Sequence, residues 1–186
     1  LAMAEAPFEA IDADEVEALG CAVFAWQRAR CAVIDRVAQG ALGGGSPADL
    51  SEIPALPTDV FKAARVACFP ESATVRVFET SGTTQEVHGR HAFADLSLYA
   101  SASCATAARW LLPETTYRCV YLAEPEELAP ASSLSFMLGR FAERWHHGAD
   151  DPWMVRGAAL DARRVVAAIA EACREGVPVA LLGTSF

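Results

Sequence analysis

Lysine is almost missing from this chain: Lys62 is the only one, and arginine makes up the rest of the 15 basic residues. A mechanism that needed a lysine here would have one candidate. Positive charge is short altogether. Against 24 aspartates and glutamates the formal net charge is −9, which argues against a nucleic-acid binder, because a basic stripe supplies most of that affinity. It argues equally against docking on an anionic membrane surface. No apolar run approaches the roughly 18 residues of a membrane span. Residues 1–8 hold Glu5 and no basic residue, so they do not read as a signal peptide. Cysteine pairs at C-x-x-C spacing are absent, and no two cysteines flank a histidine as zinc ligands would. Cys21, Cys31, Cys68, Cys104, Cys119 and Cys173 each lie in apolar surroundings, which suits buried free thiols in a reducing cytosol. The expectation is a soluble, cytoplasmic protein with no metal site.

What is present is the raw material of a core. The chain has 186 residues, 53% of them hydrophobic and 21% charged, so it is globular rather than disordered and has the length of one domain. Apolar residues recur at three- and four-residue spacing from Val16 to Val37, predicting one amphipathic helix or two closely joined ones over 14–39, with Asp12 or Asp14 as the cap. Gly43-Gly-Gly-Ser-Pro47 breaks it. The proline-spaced Ile53-Pro-Ala-Leu-Pro57 reads as extended chain, and Thr58 as the cap of a short helix to Lys62.

Downstream, Val75-Arg-Val-Phe78 alternates as a strand does, and Arg90-His-Ala-Phe93 reads as its return. Helices are expected from Asp95 to Leu112, from Ser132 or Ser133 to Trp145, and over 161–174. Strands are expected over 118–122, 153–155 and 179–182. The alternation predicts an α/β fold, a layered sheet with flanking helices. Residues 1–52 form a helical N-terminal segment with its Gly-rich linker, and 53–186 the α/β part. A final strand running into Gly183-Thr-Ser-Phe186 without a covering helix leads us to expect that the native chain continues.

The stretch Phe78-Glu-Thr-Ser-Gly-Thr-Thr84 puts four hydroxyls and a glycine directly after a strand. Glycine permits close backbone approach, successive N–H groups can cradle an anion, and hydroxyls add donors for phosphate oxygens. No Gly-Lys-Ser/Thr follows, so it is not a Walker loop. A hairpin turn whose hydroxyls cap backbone groups is the plainer alternative.

Thr80-Ser-Gly-Thr-Thr84 resembles the Ser/Thr-Ser-Gly-Thr-Thr-Gly loop of adenylate-forming enzymes. Its flanks, Ile53-Pro-Ala-Leu-Pro-Thr-Asp-Val-Phe-Lys62, Ser132-Ser-Leu-Ser-Phe-Met137 and Pro178-Val-Ala-Leu-Leu-Gly-Thr-Ser-Phe186, resemble segments of the acyl-protein synthetase (LuxE-type) family. The resemblance spans residues 53–186 and implies the N-terminal part of an adenylate-forming enzyme fold. It implies ATP with Mg²⁺ as cofactors, and a fatty acid or other carboxylic acid as substrate. Thr80, Ser81, Gly82, Thr83 and Thr84 would hold the phosphates while the carboxylate attacks the α-phosphorus. The acyl-adenylate would then pass to a thiol, with an acyl reductase as a partner. No catalytic residue is assigned. The family's acceptor cysteine falls in a part of the enzyme beyond this chain, and none of the six cysteines matches its motif.

Gln85 stands where the family loop has glycine. The basic residue that superfamily members carry soon after would have to be Arg90 or His91, at a different spacing. An aryl- or phenylacetate-type CoA ligase is the alternative within the same chemistry. A non-catalytic remnant that keeps the fold and binds a partner or acyl ligand is the alternative outside it. Other conspicuous residues read structurally: Lys62 as a snorkelling surface residue, His146-His147 as a helix end, Trp110-Leu-Leu112 as core, and Glu124-Pro-Glu-Glu127 as a solvated turn. His88 and His91 bracket the loop exit, where contact with a proton or phosphate is the functional reading.

Overall fold

Asp12 caps the first helix, its carboxylate accepting a hydrogen bond from the Asp14 N–H at 3.1 Å, in a computed structural model that describes residues 12–80 and 87–183. Helix α1 (Ala13–Arg28) carries Asp14 and Glu15 in its first turn, where the helix dipole favours negative charge. Of the one helix or two closely joined ones predicted, the structure has two: a short break precedes α2 (Ala32–Leu42), which ends at Gly43 with φ +56°, a left-handed cap that glycine supplies without strain. Arg28 holds the pair together, binding Asp35 at 2.9 Å and donating to the Gly45 carbonyl at 2.6 Å. The extended prolines then lead to α3 (Val60–Ala63), whose cap position is Asp59 rather than the expected Thr58. Asp59 caps nothing through its side chain. It pairs with Lys62 at 2.8 Å instead, and that ion pair brackets the turn one residue later than predicted.

Strands β1 (Arg76–Glu79) and β2 (Arg90–Phe93) form an antiparallel hairpin in which Phe78 opposes His91 and Glu79 opposes Arg90. The second strand falls where it was expected and the first lies one residue later than the alternation of 75–78 placed it. The described residues up to Leu96 belong to one compact unit and those from Ser97 to a second.

The second unit opens with α4 (Ser97–Trp110) and is organised around β3 (Arg118–Leu122). Helix α5 (Ser133–Trp145) starts at Ser132, whose hydroxyl accepts from the Ser135 N–H at 3.1 Å. Two short strands follow, β4 (Val155–Arg156) and β5 (Ala159–Leu160), joined at Gly157 and Ala158 with φ +57° and +61°, the mirror-image turn that tight hairpins use. Helix α6 (Ala162–Glu175) is capped by the Asp161 carboxylate and stopped by Gly176 at φ +69°. Strand β6 (Val179–Gly183) pairs parallel to β3, Arg118 opposite Val179.

β3 is bonded along both edges. Beyond its pairing with β6, the Tyr121 N–H donates to the Pro152 carbonyl at 2.7 Å, and the Met154 N–H donates to the Tyr121 carbonyl at 2.9 Å. Its side chains alternate between two layers. Tyr117, Cys119 and Tyr121 pack with Leu138, Phe141 and Trp145 of α5, while Val120 packs with Met154 and Ala168 of α6. Full burial of side chains of this size contributes about 1.5–3 kcal/mol each.

Arg118 is the buried exception. Its guanidinium meets Asp150 at 2.6 Å, Glu175 at 2.7 Å and Glu171 at 3.6 Å. Burial pulls its pKa down, but the hydrogen bonds it donates to Glu175 and Asp150 outweigh that and hold it above the usual arginine value. Gly148 makes room for the pair: at φ +115° it has no Cβ, and one placed there would meet Asp150 Oδ1 at 2.5 Å and Arg118 Nη1 at 3.1 Å.

The architecture is a mixed α/β fold with small sheets and flanking helices. The layering is present around β3, but the expected continuous sheet is not: the described strands form three two-stranded sheets. The hairpins β1–β2 and β4–β5, of which only the second has a two-residue turn, satisfy their ladders between their own two strands, so neither extends the parallel pair. Of the predicted strand over 153–155, Trp153 makes only an isolated bridge to Tyr121, and Val155 begins β4. Trp110-Leu-Leu112 is core only at Leu112; Trp110 is 66% exposed and Leu111 56%. The reason is that α4 turns Cys104, Ala107 and Ala108 toward the core, which leaves the helix end outside. Cys173 is likewise exposed rather than buried, and all six cysteines are free. No helix among the described residues is long and apolar enough to cross a membrane.

Candidate functional site

The hairpin places Thr80 directly after β1 and makes it the latch of the loop. The Thr80 N–H donates to the Gly89 carbonyl at 2.9 Å, and the Gly89 N–H returns the bond to Thr80 Oγ1, also at 2.9 Å. His88 Nδ1 lies 2.6 Å from the Thr80 carbonyl. A carbonyl only accepts, so Nδ1 carries the proton. Gly89 packs closely on Thr80: a Cβ there would stand 3.3 Å from the Thr80 side chain, tight enough to make it shift, and 3.5 Å from Phe61. Thr80 Oγ1 has one acceptor lone pair spent on Gly89 and keeps its own O–H to donate. Ser81, Gly82, Thr83 and Thr84 lie outside the described residues, as does Gln85.

One face of the hairpin walls a cavity of about 570 Å³, lined among others by Phe61, Lys62, Arg65, Thr74, Val77 and Arg90. In a chain of net charge −9, three cations line the cavity against one carboxylate, Glu71. Each is also anchored. Lys62 pairs with Asp59. Arg65 donates to the Phe69 carbonyl at 2.7 Å and to Thr74 Oγ1 at 3.3 Å, and lies over the Phe69 ring at 4.9 Å. Arg90 Nε stands 3.6 Å from Glu79. The Asp59 carboxyl sits below the usual carboxylate range, through its hydrogen bond with Lys62 first and the Lys62 charge second. Such an arrangement can receive an anion by exchanging exposed carboxylate partners for it, since surface pairs of this kind contribute about 0–1 kcal/mol.

His91 is drawn away from the loop exit. It stacks on Phe61, ring centroids 4.3 Å apart at 27°, which ties α3 to β2. His88 and Arg90 remain at the loop base, and Lys62 reaches the cavity wall rather than lying on an unrelated surface. Arg65 was not singled out from the sequence. Its signal was its spacing, three residues after Lys62.

The other sequence candidates are structural. His146 ends α5, its Nδ1 accepting from the Cys119 N–H at 3.2 Å while Nε2 faces the Asp150 carbonyl at 2.9 Å. A backbone N–H on Nδ1 makes Nε2 the protonated nitrogen. Glu124 and Glu126 are more engaged than a solvated turn: Glu124 accepts from the Ala158 N–H at 3.2 Å, and Glu126 meets Arg140 at 3.5 Å. Burial pushes the thiols of Cys68, Cys104 and Cys119 up, which disfavours the thiolate a nucleophile needs. Among the described residues, no three His, Cys, Asp or Glu side chains gather to hold a metal ion.

No known protein family, curated protein or solved structure matches the chain.

Proposed function

We propose that this chain belongs to an enzyme that activates a fatty carboxylate with ATP as an acyl-adenylate and transfers the acyl group to a thiol, in the manner of acyl-protein synthetases. The observation that carries the reading is the Thr80-Ser-Gly-Thr-Thr84 sequence following β1, with Lys62, Arg65 and Arg90 on the wall of the adjoining cavity. Hydroxyls, backbone N–H groups and cations are the donors a polyphosphate needs, and donors aimed at a leaving pyrophosphate favour the transition state in which its charge develops. Mg²⁺ would arrive with ATP and would supply positive charge to offset that of the phosphates. Thr80 would donate its remaining O–H, with Ser81, Gly82, Thr83 and Thr84 supplying the rest of the cradle. An aryl- or phenylacetate-type CoA ligase would use the same loop and differ in the acid accepted.

The test is ATP–pyrophosphate exchange by the native full-length protein across fatty and aryl acids. Fatty-acid-stimulated exchange that falls about 10²-fold or more in Thr83→Ala is the expected result, the scale of losing one transition-state donor. Exchange indifferent to that substitution would sink the loop assignment. Aryl acids outperforming fatty acids would move the reading to the CoA ligases.

One observation favours a second reading, a binding domain without ATP turnover: Gln85 replaces the loop glycine, while Lys62, Arg65 and Arg90 all have partners within the protein. A folded full-length protein that fails to bind ATP would establish it.

A further inference from the structure

Helix α1 leaves an apolar line open along most of its length. Val16, Leu19, Val23 and Trp26 are 41%, 46%, 43% and 49% exposed, while only Phe24 of this helix is buried. Their spacing of three, four and three residues is that of the a and d positions of a coiled coil. Leu50, itself 39% exposed, lies against Gly20 and widens the patch. The flanking Ala22 and Ala29 are small and exposed, so they allow a second helix to approach closely.

The line ends in opposite charges. Asp12 lies four residues before Val16, and Arg30 four residues after Trp26. Arg30 is tied to that end: its Nη1 donates to the Trp26 carbonyl at 3.3 Å and its guanidinium lies 4.7 Å from the Trp26 ring centroid. Reversing a copy of this pattern about Cys21 sets Val16 opposite Trp26, Leu19 opposite Val23, and Asp12 opposite Arg30. Every a position then meets a d position, as antiparallel helices require, and both ends pair acid with base. A parallel copy would instead set Asp12 against Asp12 and Arg30 against Arg30. The self-complementarity also meets the condition of a twofold interface, in which one patch serves both partners.

We infer that α1 is a homodimerisation element, in which the Val16–Leu19–Val23–Trp26 line of one copy packs antiparallel against that of a second. The apolar line spans about 15 Å, so the interface is small and the association falls in the micromolar range. This inference does not depend on the function proposed above.

Sedimentation velocity of the full chain, from about 1 to about 200 µM, brackets such a constant. A monomer–dimer equilibrium is expected. Val23→Glu should raise the dissociation constant about tenfold or more, since it places a charge at the centre of the apolar line. Asp12→Arg and Arg30→Asp should each raise it roughly fivefold, and the double variant should return to within about twofold of the wild type. Val23 and Arg30 are exposed, so far-UV circular dichroism should stay unchanged in their variants and serve as the folding control. Asp12 also caps α1, so Asp12→Arg is compared with Asp12→Ala, which loses the cap without reversing the charge and should weaken the dimer less. A chain monomeric at every concentration, or a dimer indifferent to Val23→Glu, would overturn the inference. So would a dimer that tolerates either single charge reversal, because that is the behaviour of a parallel pair or of a different interface.

Discussion

Among the described residues, Phe24, Cys31, Ala38 and Phe78 are the buried apolar side chains before Ser97, while the larger share lie beyond it, gathered around β3. The β3 region is a core in the ordinary sense, with one strand hydrogen-bonded on both edges and covered by helices on both faces. The hairpin region is held by local devices: a helix cap, the Arg28–Asp35 bridge, the Phe61–His91 stack and the Thr80–Gly89 latch. Its chemistry-bearing residues stay accessible for that reason. Cations buried as Arg118 is buried would need carboxylates around them, as Arg118 has, and would lie out of a ligand's reach. The contrast is between charge used to complete a core and charge left near a surface.

The largest blow to that contrast would come from the β3 side. Phe141→Ala removes a ring that is nearly fully buried between α5 and β3, and should cost about 3–5 kcal/mol in chemical denaturation. A loss near 1 kcal/mol would mean that α5 is not the main cover of this face.

A smaller effect is expected where charge is only partly withdrawn from water. Burial pushes the Asp151 carboxyl up, yet hydrogen bonds from Arg156 and the Trp153 N–H, with the Arg156 and Arg164 charges, outweigh it and hold it below the usual carboxylate value. A carboxyl lowered in the folded state stabilises above its unfolded pKa, and that stability is lost as pH falls through the folded one. Asp151→Asn keeps an acceptor for Trp153 and removes the charge, so it should cost about 1 kcal/mol at pH 7, screening by solvent included. The gap from wild type should close below about pH 4. A gap that stays constant across that window would show that geometry, not charge, is what Asp151 supplies.

The most local effect sharpens the hairpin side. Thr80→Val keeps the shape and removes the Oγ1 that accepts from Gly89. It should cost about 1 kcal/mol, confined to the hairpin, so hydrogen exchange at Gly89 should accelerate several-fold while the β3 amides are unmoved. Acceleration in both places would mean the two regions open together.

Element placement was largely legible because local periodicity and punctuation carry it. The caps Asp12, Ser132 and Asp161 and the stops Gly43 and Gly176 are written in side-chain chemistry that acts within one turn of its own helix. The misplaced elements share the opposite property. Thr58 lost its cap to a turn that the Asp59–Lys62 pair sets one residue on, and Trp110 and Leu111 look like core until the face of α4 is known. The strand expected over 153–155 splits because Trp153 answers to Tyr121 while Val155 answers to Leu160.

The candidate site divides in the same way. Its hydroxyl loop is visible as a string of residues, and Thr80 stands where alternation in β1 placed it. The cavity is not visible in that string, because Lys62, Arg65 and Arg90 come together only when α3 packs on the hairpin through Phe61 and His91.

By itself, then, the amino-acid order determined the helices, the hairpin and the excess of negative charge, all of which follow from interactions between near neighbours. Only the tertiary structure decided that Arg118 is buried, that Thr80 latches Gly89, and that Val16, Leu19, Val23 and Trp26 of α1 stay about half exposed among the described residues. Each of those depends on which distant surfaces meet, and a local pattern contains no information about its partner.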